Sequence, residues 1–173
     1  LINKKNIMIT FMKSFLQELE HESIGTRKML ALVPADKMDY KPHEKSMKMM
    51  PLSTHIAEVF GWPDFIVKTS VLDFAAGDYQ PNFLETREQL LQKLEEDYQK
   101  SKATLHEISE DKLNERWQMK MGEQVLADWD KYGAIRHSLN QATHHRAQLG
   151  VYYRLLDIPV PGSYGPSADE QEM

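Results

Sequence analysis

Cysteine is absent from the 173-residue sequence. Its absence excludes disulfide bonds, thiolate metal sites and a cysteine nucleophile. Any bound metal must therefore be held by nitrogen and oxygen ligands. A block of basic residues is also missing, and the formal net charge is −5. Because such a chain offers no obvious electrostatic surface to a phosphate backbone, nucleic acid is not an expected partner.

Long apolar runs are missing as well. No stretch of about 18 apolar residues is available to span a membrane, so no membrane partner is expected. The first residues, LINKKNIMITFMKSFLQELE, lack the small-residue cleavage site of a signal peptide. We therefore expect a cytoplasmic protein. The chain is long enough for one domain with a substantial core, which we assign to residues 1–173.

Four long segments have the apolar spacing of amphipathic helices. They cover residues 7–32, 52–66, 85–109 and 129–156. Pro34 ends the first segment, and Pro63 should kink the second or begin a new turn. Before the fourth, residues 117–125 alternate around Gly122 in the manner of a small hairpin. The predicted fold is all-α, a four-helix bundle with a long crossover and a short hairpin or irregular segment before the fourth helix.

The fourth helix is rich in histidine. Side-chain directions around the helix axis can be counted from that of His137, which is set to 0°. Gln141 then lies at roughly 40°, His144 at roughly −20° and His145 at roughly 80°. The apolar residues of this helix centre near roughly 110° by the same count. His145 is therefore expected to point into the bundle. Gln141 should lie at the border of the apolar face, and His137 and His144 should face outward.

His55 occupies an inward position on the second helix, one turn from Val59. Taken alone, His55 is explained as a core histidine that is hydrogen-bonded. Buried imidazoles on two facing helices need a partner, however, and a divalent metal can supply one. The i, i+4 spacing of Gln141 and His145 sets both side chains over one patch. From the residues alone, a metal site and a polar helix face both remain open. The other histidines stand among charged residues and are expected at the surface: His21, His43 and His106.

Two segments carry a family resemblance: DYKPHEKSMKMMPLSTHIAE and HSLNQATHHRAQLGVYYRLLDIPVPGSYGPSADE. Together they resemble the DinB-like (DinB/YfiT-type) family of metal-dependent four-helix-bundle proteins. The likeness covers essentially the whole chain. It implies a divalent metal, nickel or zinc, held by one histidine of the second helix and two of the fourth. The fourth-helix pattern resembles H-x-x-x-H-x-x-H-H-R-G-Q.

Carried over to this sequence, the family's ligand positions fall on His55, Gln141 and His145. Gln141 departs from the pattern, which has histidine there, and Ala147 replaces its glycine. A glutamine oxygen can coordinate, but an amide is a poorer partner than imidazole for borderline metals. The resemblance therefore implies a site that binds metal weakly or has lost it.

The first functional hypothesis is a metal-dependent enzyme of the hydrolase or thiol-transferase type, because relatives include transferases and isomerases that use small thiols. Glu58 and His144 are its candidate bases. His137, His144 and Arg146 are expected next to the metal ligands or facing the substrate. The alternative is a non-catalytic bundle that binds a small ligand, or a stress-related scaffold that acts through dimerisation and a methionine-rich surface at KSMKMM. A homodimer is expected from the resemblance.

Overall fold

The computed structural model describes residues 4–170, with side chains from Met12 onward except at position 110. The α-helices in this part of the chain are α1 (Lys4–Leu30), α2 (Met49–Glu58), α3 (Trp62–Lys68), α4 (Arg87–Glu107), α5 (Glu110–Leu113) and α6 (Lys131–Leu155). The strands are β1 (Val71–Asp73), β2 (Arg116–Met121) and β3 (Gln124–Asp130). Short 3₁₀ turns cover Val59–Gly61, Phe74–Ala76 and Ala168–Glu170.

In the first predicted helix, apolar residues at steps of three, four or seven form a stripe, which is buried wherever its side chains are described: Phe15, Leu19, Thr26 and Leu30. Its other two members, Ile7 and Phe11, lie outside the described side chains. The helix ends just before Pro34, as predicted, because a proline ring and its missing N–H do not fit a helix interior.

The second predicted helix is two helices. A 3₁₀ turn follows α2, and Pro63 lies in the first turn of α3, where its missing N–H is not needed. Gly61 stands at this break against Asp97 of α4. A Cβ at position 61 would lie 2.9 Å from the Asp97 carboxylate, so a larger residue here would force the Asp97 side chain to move.

Capping residues define the starts of α4 and α6. The Thr86 side chain accepts a hydrogen bond from Gln89 N, and the Gln89 side chain accepts one from Thr86 N, which makes a capping box. The Asp130 carboxylate accepts a hydrogen bond from Gly133 N at the start of α6. The predicted third and fourth helices are thereby confirmed to within about two residues at each end.

A three-stranded sheet with the order β1-β2-β3 is added to the helices. The predicted hairpin is β2 and β3, antiparallel around Gly122, whose φ of +59° favours glycine. The all-α expectation was incomplete, because β1 pairs in parallel with β2. A strand of three residues is too short to show a period, and a parallel partner more than 40 residues away leaves no local signal.

The helices pack around one core. α1 contacts both α4 and α6, and α2 also contacts both α4 and α6. The fold is therefore mostly helical, with the sheet set beside the helices. Within residues 4–170, no helix is long and apolar enough to cross a membrane. The methionine-rich surface expected at KSMKMM is not found, since Met49 and Met50 are buried and Met47 alone of the three methionines in this segment is exposed.

Candidate metal centre

His55 and His145 meet where α2 packs against α6. Their ring centroids are 4.7 Å apart, and the rings are nearly perpendicular, at 79°. Both side chains are half-buried. The ring of Trp62, at the start of α3, packs edge-on against His55 at 6.2 Å. Two imidazoles from different helices thus share one small volume beside an indole.

The environment lowers the pKa of both histidines. Burial lowers the pKa of His55 most, the nearby His145 lowers it further, and Glu58 opposes these effects. Burial also lowers the pKa of His145, while its hydrogen bond to Gln148 opposes the shift and His144 adds to it. Because both pKa values lie below 6.5, both rings are neutral near pH 7. Neutral imidazole is the form that binds a metal.

Gln141 lies one helical turn before His145 and is half-buried. Its amide Nε2 lies 3.2 Å from His137 Nε2, to which it donates a hydrogen bond. With the nitrogen engaged by His137, the carbonyl Oε1 is the atom of Gln141 that can serve as a ligand.

His137 was expected to face outward, but it stacks on Trp129 with ring centroids 4.8 Å apart and an angle of 30°. Trp129 belongs to β3, which leads directly into α6. Helical angles within α6 could not show this, because the covering residue comes from another element.

Gln148 is a site residue that the sequence interpretation did not assign, although it matches the family pattern. Its Oε1 lies 2.9 Å from His145 Nδ1, and its Nε2 lies 3.1 Å from His144 Nε2. His144 is exposed, and its ring centroid is 4.9 Å from that of His145. The carboxamide of Gln148 thus connects the two neighbouring histidines.

Arg146 lies on another face of α6 and is buried against α1. Its Nη2 is 2.7 Å from Glu22 Oε2, a distance that makes an ion pair although the angle does not suit a hydrogen bond. It also donates hydrogen bonds to Thr26 Oγ1 and, in the C-terminal segment, to Ser163 Oγ and Tyr164 Oη. In this structure Arg146 joins α1, α6 and the C-terminal segment and does not face the paired histidines.

Glu58 is buried three residues after His55 and is already hydrogen-bonded. Its carboxylate accepts hydrogen bonds from Tyr79 Oη at 2.8 Å and from Asn82 N at 2.8 Å, and also from the Asn82 side chain. Burial and the hydrogen bond to Glu58 raise the pKa of Tyr79, which stays protonated as the donor. To act as a base towards the histidine pair, Glu58 would first have to leave this loop.

A cavity of about 290 Å³ lies on the other side of Trp62, between α3, α4 and the loop after β1. Aromatic and acidic residues dominate its wall, among them Trp62, Phe65, Tyr79, Glu58 and Asp97. Burial raises the pKa of Asp97, although Lys93 and Lys100 oppose the shift. The cavity is therefore a polar and aromatic compartment lined by Trp62, the same residue that packs against His55.

The donor set fits a borderline metal only in part. Within the described residues, no group of three or more His, Cys, Asp or Glu side chains is placed to hold an ion. The structure brings two imidazoles together, those of His55 and His145, and an amide oxygen of Gln141, one turn before His145, would have to supply the third ligand. Nitrogen and oxygen ligands of this type suit zinc and nickel, and two imidazoles with an amide bind more weakly than three imidazoles.

Comparison with known proteins defines the class of this helical protein. The structure resembles a DinB-like protein of Bacillus subtilis with a TM-score of 0.66 and 18% identity, over 91% of this chain and 99% of that one. It also resembles a DinB-like protein of Bacillus cereus with a TM-score of 0.68 and 17% identity, over 88% and 97%. At this identity the likeness concerns the fold. No curated protein shows a significant match.

The family model of the DinB family matches residues 8–173. The chain belongs to the DinB family, and the resemblance seen in the sequence is confirmed.

Proposed function

We propose that this chain binds one divalent metal, nickel or zinc, through His55, His145 and the Oε1 of Gln141. The observation that carries the proposal is the 4.7 Å separation of two neutral imidazoles that come from different helices. Within the part of the chain that the structure describes, neither ring hydrogen-bonds to a carboxylate or a backbone group, and His145 bonds to Gln148 through Nδ1. A shared metal ion accounts for the approach of the two rings. In this proposal the helices form the four-helix bundle of metal-dependent DinB/YfiT-type proteins.

The proposed activity is that of a metal-dependent hydrolase or thiol transferase. A divalent metal held by His55, Gln141 and His145 would supply a Lewis acid that lowers the pKa of water or of a thiol towards neutral pH. With only three protein ligands, the site would have room for that molecule. The residues of the chain hold the metal, and Trp62 restricts the access of water from the side of His55.

Of the two candidate bases, His144 is placed better than Glu58. The His144 ring is exposed and lies 4.9 Å from the ring of His145, and its Nε2 accepts one hydrogen bond, from the exposed Gln148, which it must release to act as a base beside the centre. Glu58 is buried, and both of its oxygens accept hydrogen bonds from the loop that carries Tyr79 and Asn82. We assign His144 the role of base and Glu58 the role of holding this loop.

A second function is supported by the cavity beside Trp62. If the change to Gln141 has abolished metal binding, the protein is a non-catalytic bundle that binds a small ligand, with the cavity of about 290 Å³ as the binding place. A stress-related dimeric protein belongs to the same alternative. Metal content separates the two functions directly.

The test is zinc and nickel titration of protein purified without a histidine tag, because tag-bound nickel would imitate the result. The wild type should bind one metal ion per chain. Gln141→His should tighten binding, since imidazole is the better ligand. His145→Ala should weaken it by at least ten- to a hundredfold, the range known for the loss of residues that only support a ligand.

His106→Ala is the matched control, because His106 is exposed in the last turn of α4 and should not affect the affinity. Circular dichroism should show the same helix content in every variant. Equal affinities for the wild type, Gln141→His and His145→Ala would show that the histidine pair holds no metal.

A further inference from the structure

The carboxamide of Gln148 lies between two imidazoles on α6. Its Oε1 is 2.9 Å from His145 Nδ1, and its Nε2 is 3.1 Å from His144 Nε2. An amide oxygen can only accept a hydrogen bond, and an amide nitrogen can only donate one. His145 Nδ1 must therefore carry a proton, and His144 Nε2 must present a lone pair.

We propose that Gln148 is a positioning residue for the centre, which holds His145 in its Nδ1–H tautomer. In a neutral imidazole one nitrogen carries the proton and the other carries the lone pair. Once Nδ1 is the donor, Nε2 is the only nitrogen of His145 that can bind a metal. The metal part of this proposal rests on the proposed function, while the tautomer does not.

The spacing along α6 makes the contact possible. Gln148 follows His145 by three residues and His144 by four, and both separations put side chains on the same helical face. Arg146, between them, is buried on a different face in its ion pair with Glu22. That pair holds another face of α6 against α1, while His145 contacts His55 of α2 and Gln148 is exposed.

Gln148 is exposed, which separates its role from that of a core residue. An exposed glutamine on a helix surface costs little stability when it is replaced. If the hydrogen bond only stabilised the helix surface, replacing Gln148 would leave the tautomer of His145 unchanged. A bond that sets the tautomer would change the proton distribution of His145 when its acceptor is removed, without a change in folding.

The test is long-range ¹H–¹⁵N spectroscopy of the histidine rings in the metal-free full-length protein at pH 7.5. The wild type should show His145 protonated at Nδ1 and unprotonated at Nε2. Gln148→Ala should convert His145 to a mixture in which the Nε2–H form is substantial. Gln148→Glu should restore the Nδ1–H form, because a carboxylate also accepts that proton.

Gln99→Ala is the matched control, since Gln99 is a glutamine of α4 that donates to Glu95 at 2.8 Å, one turn away. It should leave the His145 signals unchanged. In zinc titrations, Gln148→Ala should weaken binding about tenfold to a hundredfold, and Gln148→Glu should recover the loss.

An Nε2–H tautomer of His145 in the wild type, or an unchanged tautomer in Gln148→Ala, would overturn the positioning role. If the wild type binds zinc and Gln148→Ala alters neither tautomer nor affinity, the positioning role fails and the metal function stands. If the tautomer changes as expected but the wild type binds no zinc, the metal function fails and the tautomer assignment stands.

Discussion

Replacing Glu22 with glutamine should lower the free energy of unfolding by about 3–5 kcal/mol, the cost of leaving one partner of a buried ion pair alone. The side chains of Arg146 and Glu22 are 6% and 7% exposed, so water cannot replace the lost charge. Glutamine keeps the shape of glutamate but leaves the guanidinium without a counter-ion. The loss would be a large share of a typical stability of about 5–15 kcal/mol.

Removing both charges should lower the free energy of unfolding much less than the sum of the losses in the two single variants. In the double variant Glu22→Leu, Arg146→Met, apolar side chains of similar length fill the space, and no buried charge is left unpaired. Some loss remains, because Thr26, Ser163 and Tyr164 also lose hydrogen bonds from Arg146. The non-additivity measures the coupling between the two side chains.

Urea unfolding followed by tryptophan fluorescence and by circular dichroism would measure these free energies. Arg154→Ala is the control, because Arg154 also joins α6 to the C-terminal segment through Asp169 but is 53% exposed. It should change stability far less than Glu22→Gln. A Glu22→Gln variant within about 1 kcal/mol of the wild type would refute the reasoning, since that is the effect of a solvent-exposed pair.

Two further predictions concern pH and assembly. Burial lowers the pKa of His55 and His145 below 6.5. Because the unfolded chain then binds protons that the folded chain does not, the free energy of unfolding should be greatest above pH 6.5 and should fall as the pH drops towards the folded pKa values. Urea midpoints measured between pH 7.5 and 5 would check this. The midpoint should depend less on pH in His55→Gln than in the wild type, and an equal dependence in both proteins would contradict the prediction. From the family resemblance we also expect a homodimer, so sedimentation at micromolar concentration should give twice the 20.1 kDa of one chain, and a single 20.1 kDa species would contradict it.

The parts of the fold that depend on local spacing were predictable from the sequence. The 3.6-residue period marked the long helices. Pro34 marked the end of the first predicted helix and Pro63 the break in the second, because a proline constrains only its immediate neighbours. The hairpin around Gly122 was also predictable from its alternation. The inward directions of His55 and His145 followed from the same helical geometry, and the structure places the two rings side by side.

Contacts between distant segments were decided by the tertiary structure. Strand β1 exists because β2 supplies its hydrogen bonds, and a three-residue segment has no period of its own. Arg146 matched a site motif, yet its partner Glu22 lies 124 residues earlier, and this ion pair turns the guanidinium towards α1. Trp129 of β3 covers His137 of α6, a contact that the helical spacing within α6 does not contain. A periodic pattern gives the direction in which a side chain leaves its own helix, but the group that it meets depends on how the other segments pack.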